Sequence, residues 1–280
     1  MLRTIRERLA RATGCRLMRP PITLADVHYC GCREGEYGTD AELAPVLAEY
    51  ERSGGWVAEP KLDGMWAQVD ARGARSRTGR PIDVPALPRQ ACTLVGEYVQ
   101  GTIHAFDILT WGPADYRPLC RTERRFILAA HCGMGELPAS YRLAPQWHSS
   151  FAAHMAEQPE GLILKAVDDG PYHTGRHANW RKVKRCRTYD CVARDWRPGL
   201  GGSGSIGLAQ LRQDGSWQDC GRLALHGPDA NAIGRACAVA AEPLVVELRA
   251  FGQYLSGAFR SPELCRVRTD KRPADCRAFA

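Results

Sequence analysis

Lys61 stands in the run Glu59-Pro60-Lys61-Leu62-Asp63-Gly64, between the apolar stretches Trp56-Val57-Ala58 and Met65-Trp66-Ala67-Gln68-Val69. A lysine held at a turn and shielded from water becomes a nucleophile once its amine is unprotonated. Carboxylates recur downstream in costly places. Glu97 follows Val95-Gly96, Asp107 lies inside Phe106-Asp107-Ile108, and Glu160 opens the apolar run Gly161-Leu162-Ile163-Leu164-Lys165-Ala166-Val167. An acid in such a setting must be paired or bind a cation, so each marks either a site or a structural ion pair. Arg176, Arg181, Lys182, Lys184, Arg185 and Arg187 then crowd together with no acid between them. Such a run is either a solvated edge strand or a clamp for polyphosphate or nucleic acid. A last basic cluster, Arg266-Val267-Arg268-Thr269-Asp270-Lys271-Arg272, holds one aspartate.

The elements that must position these residues are legible from periodicity. The flanks of Lys61 predict two strands joined by a turn at Gly64. Thr93–Val99 and Ile103–Leu109 predict further strands, and alternation along 179–185 puts Lys182 and Lys184 on one face with Val183 on the other. Thr39-Asp40-Ala41-Glu42 reads as a capping box, with Leu43, Val46, Leu47 and Tyr50 at helical spacing; Pro45 predicts a late start or a kink. A helix over about 119–132 is expected to turn Phe126, Ile127 and Ala130 inward, and another over about 149–157 to be capped by Ser149 or Ser150. Beyond residue 188, short strands at 189–196, 205–212, 220–226 and 244–250, with a helix over 229–241, suit a small Greek-key barrel of the OB type. The glycine-rich loop at 199–204 lacks the Gly-Lys-Ser/Thr ending of a phosphate loop and is expected to be a flexible connection.

Composition bounds the answer without choosing it. The chain has 280 residues, 44% hydrophobic and 25% charged, which suits one large or two ordinary soluble domains. No apolar run is long enough for a membrane span. The net charge of +7 is modest, so its clustering matters more than its size. Twelve cysteines without a Cys-x-x-Cys pair, and no secretory signal, lead us to expect reduced thiols and a cytoplasmic location. His28, Cys30 and Cys32 are the nearest approach to a metal cluster, with no second half. Residues 1–11 predict a short helix with a basic face.

Taken in series, these stretches resemble the ATP-dependent DNA ligases, members of the covalent nucleotidyltransferases. Lys61-Leu62-Asp63-Gly64 resembles their nucleophile motif, and Ser76-Arg77-Thr78-Gly79 the arginine motif that follows. Gly96-Glu97-Tyr98-Val99 and Phe106-Asp107-Ile108-Leu109 resemble the next two, then Glu160–Lys165, Trp180–Lys184 and Arg266–Lys271 in family order. The resemblance covers residues from about 56 to 273. It departs from the family at Trp66, where an arginine is usual.

The resemblance implies an α+β chain. An N-terminal basic segment and adenylation domain of antiparallel sheets with flanking helices would span 1–186, and an OB-fold β-barrel 187–280. It implies a minimal two-domain enzyme acting as a monomer on nicked double-stranded DNA, with ATP and Mg²⁺ or Mn²⁺. Lys61 would carry AMP, pass it to a 5′-phosphate, and a 3′-hydroxyl would then displace it. Glu59, Arg77, Glu97, Phe106, Glu160, Lys182 and Lys184 would bind the nucleotide, with Glu97 and Glu160 also as metal ligands. Arg268, Asp270 and Lys271 would orient the leaving pyrophosphate. An RNA ligase or a capping guanylyltransferase shares the lysine chemistry, and a non-catalytic nucleic-acid-binding OB protein is the reading from another class.

Overall fold

The structure, a computed structural model, describes residues 30–239 and 242–278. The basic N-terminal helix expected over 1–11 and His28 lie outside the described residues. Contacts divide the chain into two units. Among the described residues, one comprises 30–36 and Leu43–Lys184, the other Tyr37–Glu42 and the described residues from Arg185 on.

The first unit is built from two antiparallel sheets. Strands β1 (Cys30–Gly38), β2 (Trp56–Pro60), β10 (Leu162–Ala166) and β11 (Gly175–Arg185) form a four-stranded sheet in the order β1-β11-β10-β2. The second sheet runs β5-β4-β3-β6-β7-β8, from β3 (Met65–Asp70), β4 (Gly73–Ser76), β5 (Pro81–Ile82), β6 (Cys92–Val99), β7 (Thr102–Trp111) and β8 (Ala114–Asp115). A short strand β9 (Tyr141–Leu143) pairs parallel with β7.

Alternation gives each sheet one apolar face. On the four-stranded sheet Ala58, Leu162, Leu164 and Val183 are buried with Leu43 and Leu47 of helix α1 (Asp40–Arg52) and Phe151 and Met155 of helix α3 (Phe151–Glu157). On the larger sheet Ala67, Val69, Leu94, Ile103 and Ala105 are buried with Ile127 and Leu128 of helix α2 (Arg121–Gly133). The residues between them point the other way. Glu59, Ile163, Lys165, Trp180, Lys182 and Lys184 share the second face of the first sheet, and Trp66, Gln68 and Glu97 that of the other, because side chains alternate along a strand.

The helices meet some expectations and correct others. Helix α1 starts at Asp40 and runs through Pro45. Thr39 and Glu42 exchange the reciprocal bonds of a capping box, at 2.7 Å and 3.4 Å, and the burial of Leu43 and Leu47 outweighs the one backbone donor that proline lacks. In α2, Phe126 and Ala130 face solvent, while Arg121, Arg124 and Arg125 are buried with Ile127 and Leu128. Those guanidiniums find acceptors: Arg124 forks onto Asp107, Arg125 donates to the carbonyls of Ala105 and Ala144, and Arg121 to that of Ala166. Ser150 occupies the cap position of α3 but makes no side-chain cap bond. Glu51 accepts the Ser150 and Phe151 backbone N–H groups instead, at 2.9 Å and 3.1 Å.

The second unit holds an antiparallel sheet in the order β14-β13-β12-β15-β16, from β12 (Arg187–Pro198), β13 (Gly204–Leu211), β14 (Trp217–Leu225), β15 (Val245–Ala250) and β16 (Glu263–Val267). Helix α4 (Pro228–Val239) lies between β14 and β15 in the chain. One face buries Cys191, Ile206, Leu208, Leu223, Val246 and Leu248. Among the described residues the strands do not close into a barrel, since β14 and β16 are not hydrogen-bonded to each other. Taken together the architecture is α+β with antiparallel sheets. No helix among the described residues is long and apolar enough to cross a membrane.

Candidate active site

Lys61 leaves the end of β2 and is tied down by its own backbone. Its N–H donates to the Gly161 carbonyl at 2.9 Å. Gly161 has φ +106°, and a Cβ there would run into the Val183 carbonyl and the Lys184 backbone, so only glycine lets β10 start this close to β11. The bond brings the residue before Gly161 to the residue after Pro60: Lys61 Nζ donates to Glu160 Oε2 at 3.4 Å. The side chains of Lys61 and Glu160 are 21% and 15% exposed, so the pair is sheltered but reachable.

Gly64 does the same for the other sheet. A Cβ on it would lie 2.5 Å from the Tyr98 carbonyl and 2.9 Å from the Glu97 side chain. The turn after Lys61 can therefore press against the end of β6, beside Glu97. Burial pushes the Glu97 carboxyl up to about 7. Lys61, the Gly64 N–H and Arg77 pull it down, and Asp63 pushes it further up. Glu97 is thus a half-buried acid within electrostatic reach of Lys61 and Arg77. Trp66 stands directly opposite Glu97 in the β3–β6 ladder.

Lys182 and Lys184, both half-buried, follow along β11, with Lys182 opposite Ile163 of β10. The Cys32 thiol of β1 registers the local charge: burial pushes it up, while the ammonium groups of Lys165, Lys182 and Lys61 pull it down. Lys61 thus meets Glu160 directly, Lys182 shares a face of the same sheet, and Glu97 lies at the end of β6 against which the Gly64 turn packs.

A second cluster lies deeper. Lys165 is 2% exposed and donates to Glu59 Oε2 at 2.6 Å, while Glu59 Oε1 accepts from Gln146 at 3.1 Å. The Lys165 ammonium also sits 4.1 Å from the Phe106 ring centre and 3.9 Å from that of Trp180, and these two rings meet edge-on at 5.6 Å. Burial pulls Lys165 below its ordinary value, opposed by Glu59. Trp180 is fixed in turn by Asp169, which accepts its indole N–H at 2.9 Å. Asp107 is no part of a site: its two oxygens take Arg124 Nε and Nη2 at 2.8 Å and 2.9 Å in full burial.

Arg268, Asp270 and Lys271 belong to the second unit. Arg268 forks onto Asp270 at 2.8 Å and 2.6 Å, which holds the Asp270 carboxyl far below the usual carboxylate range. Lys271 pairs with Asp190.

No protein-family model matches the chain, and no curated protein matches its sequence. Solved structures do. A Lig E DNA ligase structure is 20% identical, with 85% of this chain and 99% of that chain covered and a TM-score of 0.56. The structure named Pmar-Lig_Pre is 16% identical, with 87% and 68% covered and a TM-score of 0.57. The chain shares its fold with DNA ligase structures. At this identity the likeness concerns the fold.

Sequence reasoning passed over Lys165 as a site neighbour, and over Asp169 and Asp190. Lys165 was recoverable: a lysine inside an apolar strand needs an acid, and Glu59 is the acid at the facing edge. Asp190 gave no such signal, because an acid at a partly exposed strand position needs no buried partner. Among the described residues no group of three or more His, Cys, Asp or Glu side chains stands ready to hold a metal ion.

Proposed function

We propose that this protein is an ATP-dependent DNA ligase that seals nicks in duplex DNA through a lysine–AMP intermediate on Lys61. The observation that carries the proposal is the meeting of Lys61 with Glu160 at 3.4 Å, with Lys182 on the same face of that sheet and Glu97 at the end of β6 against the Gly64 turn. The order of these residues in the chain and the ligase fold support it.

In the first step the Lys61 amine attacks the α-phosphorus of ATP and pyrophosphate leaves. AMP then passes to the 5′-phosphate at the nick, and the 3′-hydroxyl displaces it. Charge spreads over phosphate oxygens in each step, so fixed cations should dominate catalysis. Lys182 and Lys184 would hold the α-phosphate, Arg77 the phosphate or ribose, and Phe106 one face of the adenine. The Glu59 carboxylate is engaged by Lys165 and Gln146, so its contribution to the purine pocket is to fix the floor beneath Phe106 and Trp180. Arg268, Asp270 and Lys271 would serve the pyrophosphate.

Glu97 and Glu160 would hold Mg²⁺ or Mn²⁺. Two carboxylates suit a hard cation that completes its shell with phosphate oxygens and water. Bound there, the metal supplies charge neutralisation on the phosphates.

We read the second unit as an open OB-type barrel. Its five strands and the helix between the third and fourth fit that topology, and β14 approaches β16 within 8 Å between Cα atoms where closure would occur. With nicked DNA as partner, a monomer in the cytoplasm is the working form.

The test is incubation with α-labelled ATP or GTP and Mg²⁺. Covalent label from ATP that is absent in Lys61→Ala supports the ligase reading. Label from GTP alone favours a capping enzyme, and no label a binding protein. Nicked DNA compared with nicked RNA then decides the substrate.

A further inference from the structure

The second unit carries a charge arrangement that its own sheet makes awkward. Asp190 on β12 and Glu247 on β15 are direct partners in the ladder. Like charges facing each other across neighbouring strands repel. Arg268 bridges the two, and Arg266 Nε also donates to Glu247 Oε2, at 2.7 Å. Arg268 Nη1 donates to Asp190 Oδ1 at 3.0 Å and to Glu247 Oε2 at 3.2 Å, while its Nε and Nη2 hold Asp270. The second Asp190 oxygen takes the Lys271 ammonium. Asp190 therefore joins both cations, one oxygen to each.

Its backbone is fixed as well. Gln210, fully buried, donates to the Asp190 carbonyl at 3.1 Å, and the Arg268 N–H donates to the Val245 carbonyl at 2.8 Å. Asp270 differs: it is 62% exposed and its ion pairing is with Arg268. Lys271 is 34% exposed and lines a cleft of about 240 Å³ together with Asp190, Asp275 and Arg277.

We propose that Asp190 is a positioning residue that sets Arg268 and Lys271 as one paired cation for the polyphosphate of ATP. This rests on the ligase reading, in which those two residues serve the leaving pyrophosphate. In that step the Lys61 nitrogen forms a bond to the α-phosphorus and the bond from that phosphorus to the bridging oxygen breaks. The electron pair leaves with pyrophosphate and the amine proton passes to solvent. Asp190, an anion, acts on this step through the two cations it orients. The later displacement at the nick involves no pyrophosphate and should not depend on it.

The experiment compares the full-length protein with Asp190→Asn and Asp190→Glu in two assays. One is single-turnover labelling of Lys61 by α-labelled ATP, and the other is sealing of a nick that already carries AMP on its 5′-phosphate. Labelling at saturating ATP should fall about tenfold or more in Asp190→Asn, as misplaced catalytic groups do, and recover most of the loss in Asp190→Glu. Sealing of the pre-adenylated nick should stay within about twofold of wild type. Wild-type labelling in Asp190→Asn overturns the proposal, and loss of both steps overturns it too by making Asp190 structural. A wild-type protein that takes no label sinks the ligase reading itself, a distinct outcome.

Discussion

Two kinds of ion pair lie within the first unit, and they differ in depth. Asp107–Arg124 and Glu59–Lys165 are sealed, with side chains 1–3% exposed and contacts of 2.6–2.9 Å. Lys61–Glu160 is looser, at 3.4 Å and 21% and 15% exposed. In a sealed pair each charge is committed to its partner, because separating them would leave an ion in a dry interior. In the looser pair the attraction is weak enough for a substrate to compete. The deep pairs hold the strands in place; the shallow one offers chemistry.

That contrast can be broken or sharpened by substitution. The largest effect on stability is expected for Asp107→Ala, which strands Arg124 and should cost about 3–5 kcal/mol in urea unfolding. Replacing both partners by leucine should cost less than this single change. A loss below about 1 kcal/mol for Asp107→Ala would mean that the deep pair is not structural.

Next comes Glu51→Ala, which removes the acceptor for two backbone N–H groups at the start of α3. About 1 kcal/mol should be lost, seen as a lower urea midpoint at unchanged slope.

Glu97→Gln should act through pH. The folded protein raises this carboxyl from its ordinary 4.5 to about 7 by burial, so it holds the proton more tightly than the unfolded chain does. Wild-type stability should therefore fall as pH rises from 4.5 to about 7, and Glu97→Gln should flatten that fall while losing adenylation. Thermal melts across this range check the slope; equal slopes for the two proteins would remove Glu97 as its cause.

The smallest stability effects belong to the shallow pair. Lys61→Ala and Glu160→Gln should change stability by about 0–1 kcal/mol while abolishing labelling. Trp66→Arg should be tolerated in both respects. Complete loss of adenylation in that variant would give the tryptophan a specific role opposite Glu97.

Much of this contrast was legible in the sequence, and the rest was hidden for identifiable reasons. Strand alternation correctly put Lys182 and Lys184 on one face and Val183 on the other. The turn at Gly64 followed from its flanks. Asp107 and Glu97 looked alike in sequence, each an acid in an apolar run. What separates them is a partner: Arg124 lies on a helix whose apolar pattern pointed Phe126 inward, when three arginines take the buried face. Strand β1 was unreadable because Cys30-Gly31-Cys32-Arg33-Glu34-Gly35 has no apolar alternation; it is held by pairing with β11. The bonds that place Lys61 beside Glu160 pass through a glycine carbonyl, which no side-chain pattern reports.

The central claim, that Lys61 carries AMP, is tested most directly by peptide mapping of the protein after incubation with ATP and Mg²⁺. The account predicts a single AMP adduct on the peptide containing Lys61, released on adding nicked DNA. An adduct on another lysine, such as Lys165 or Lys182, or an unmodified protein, would contradict it.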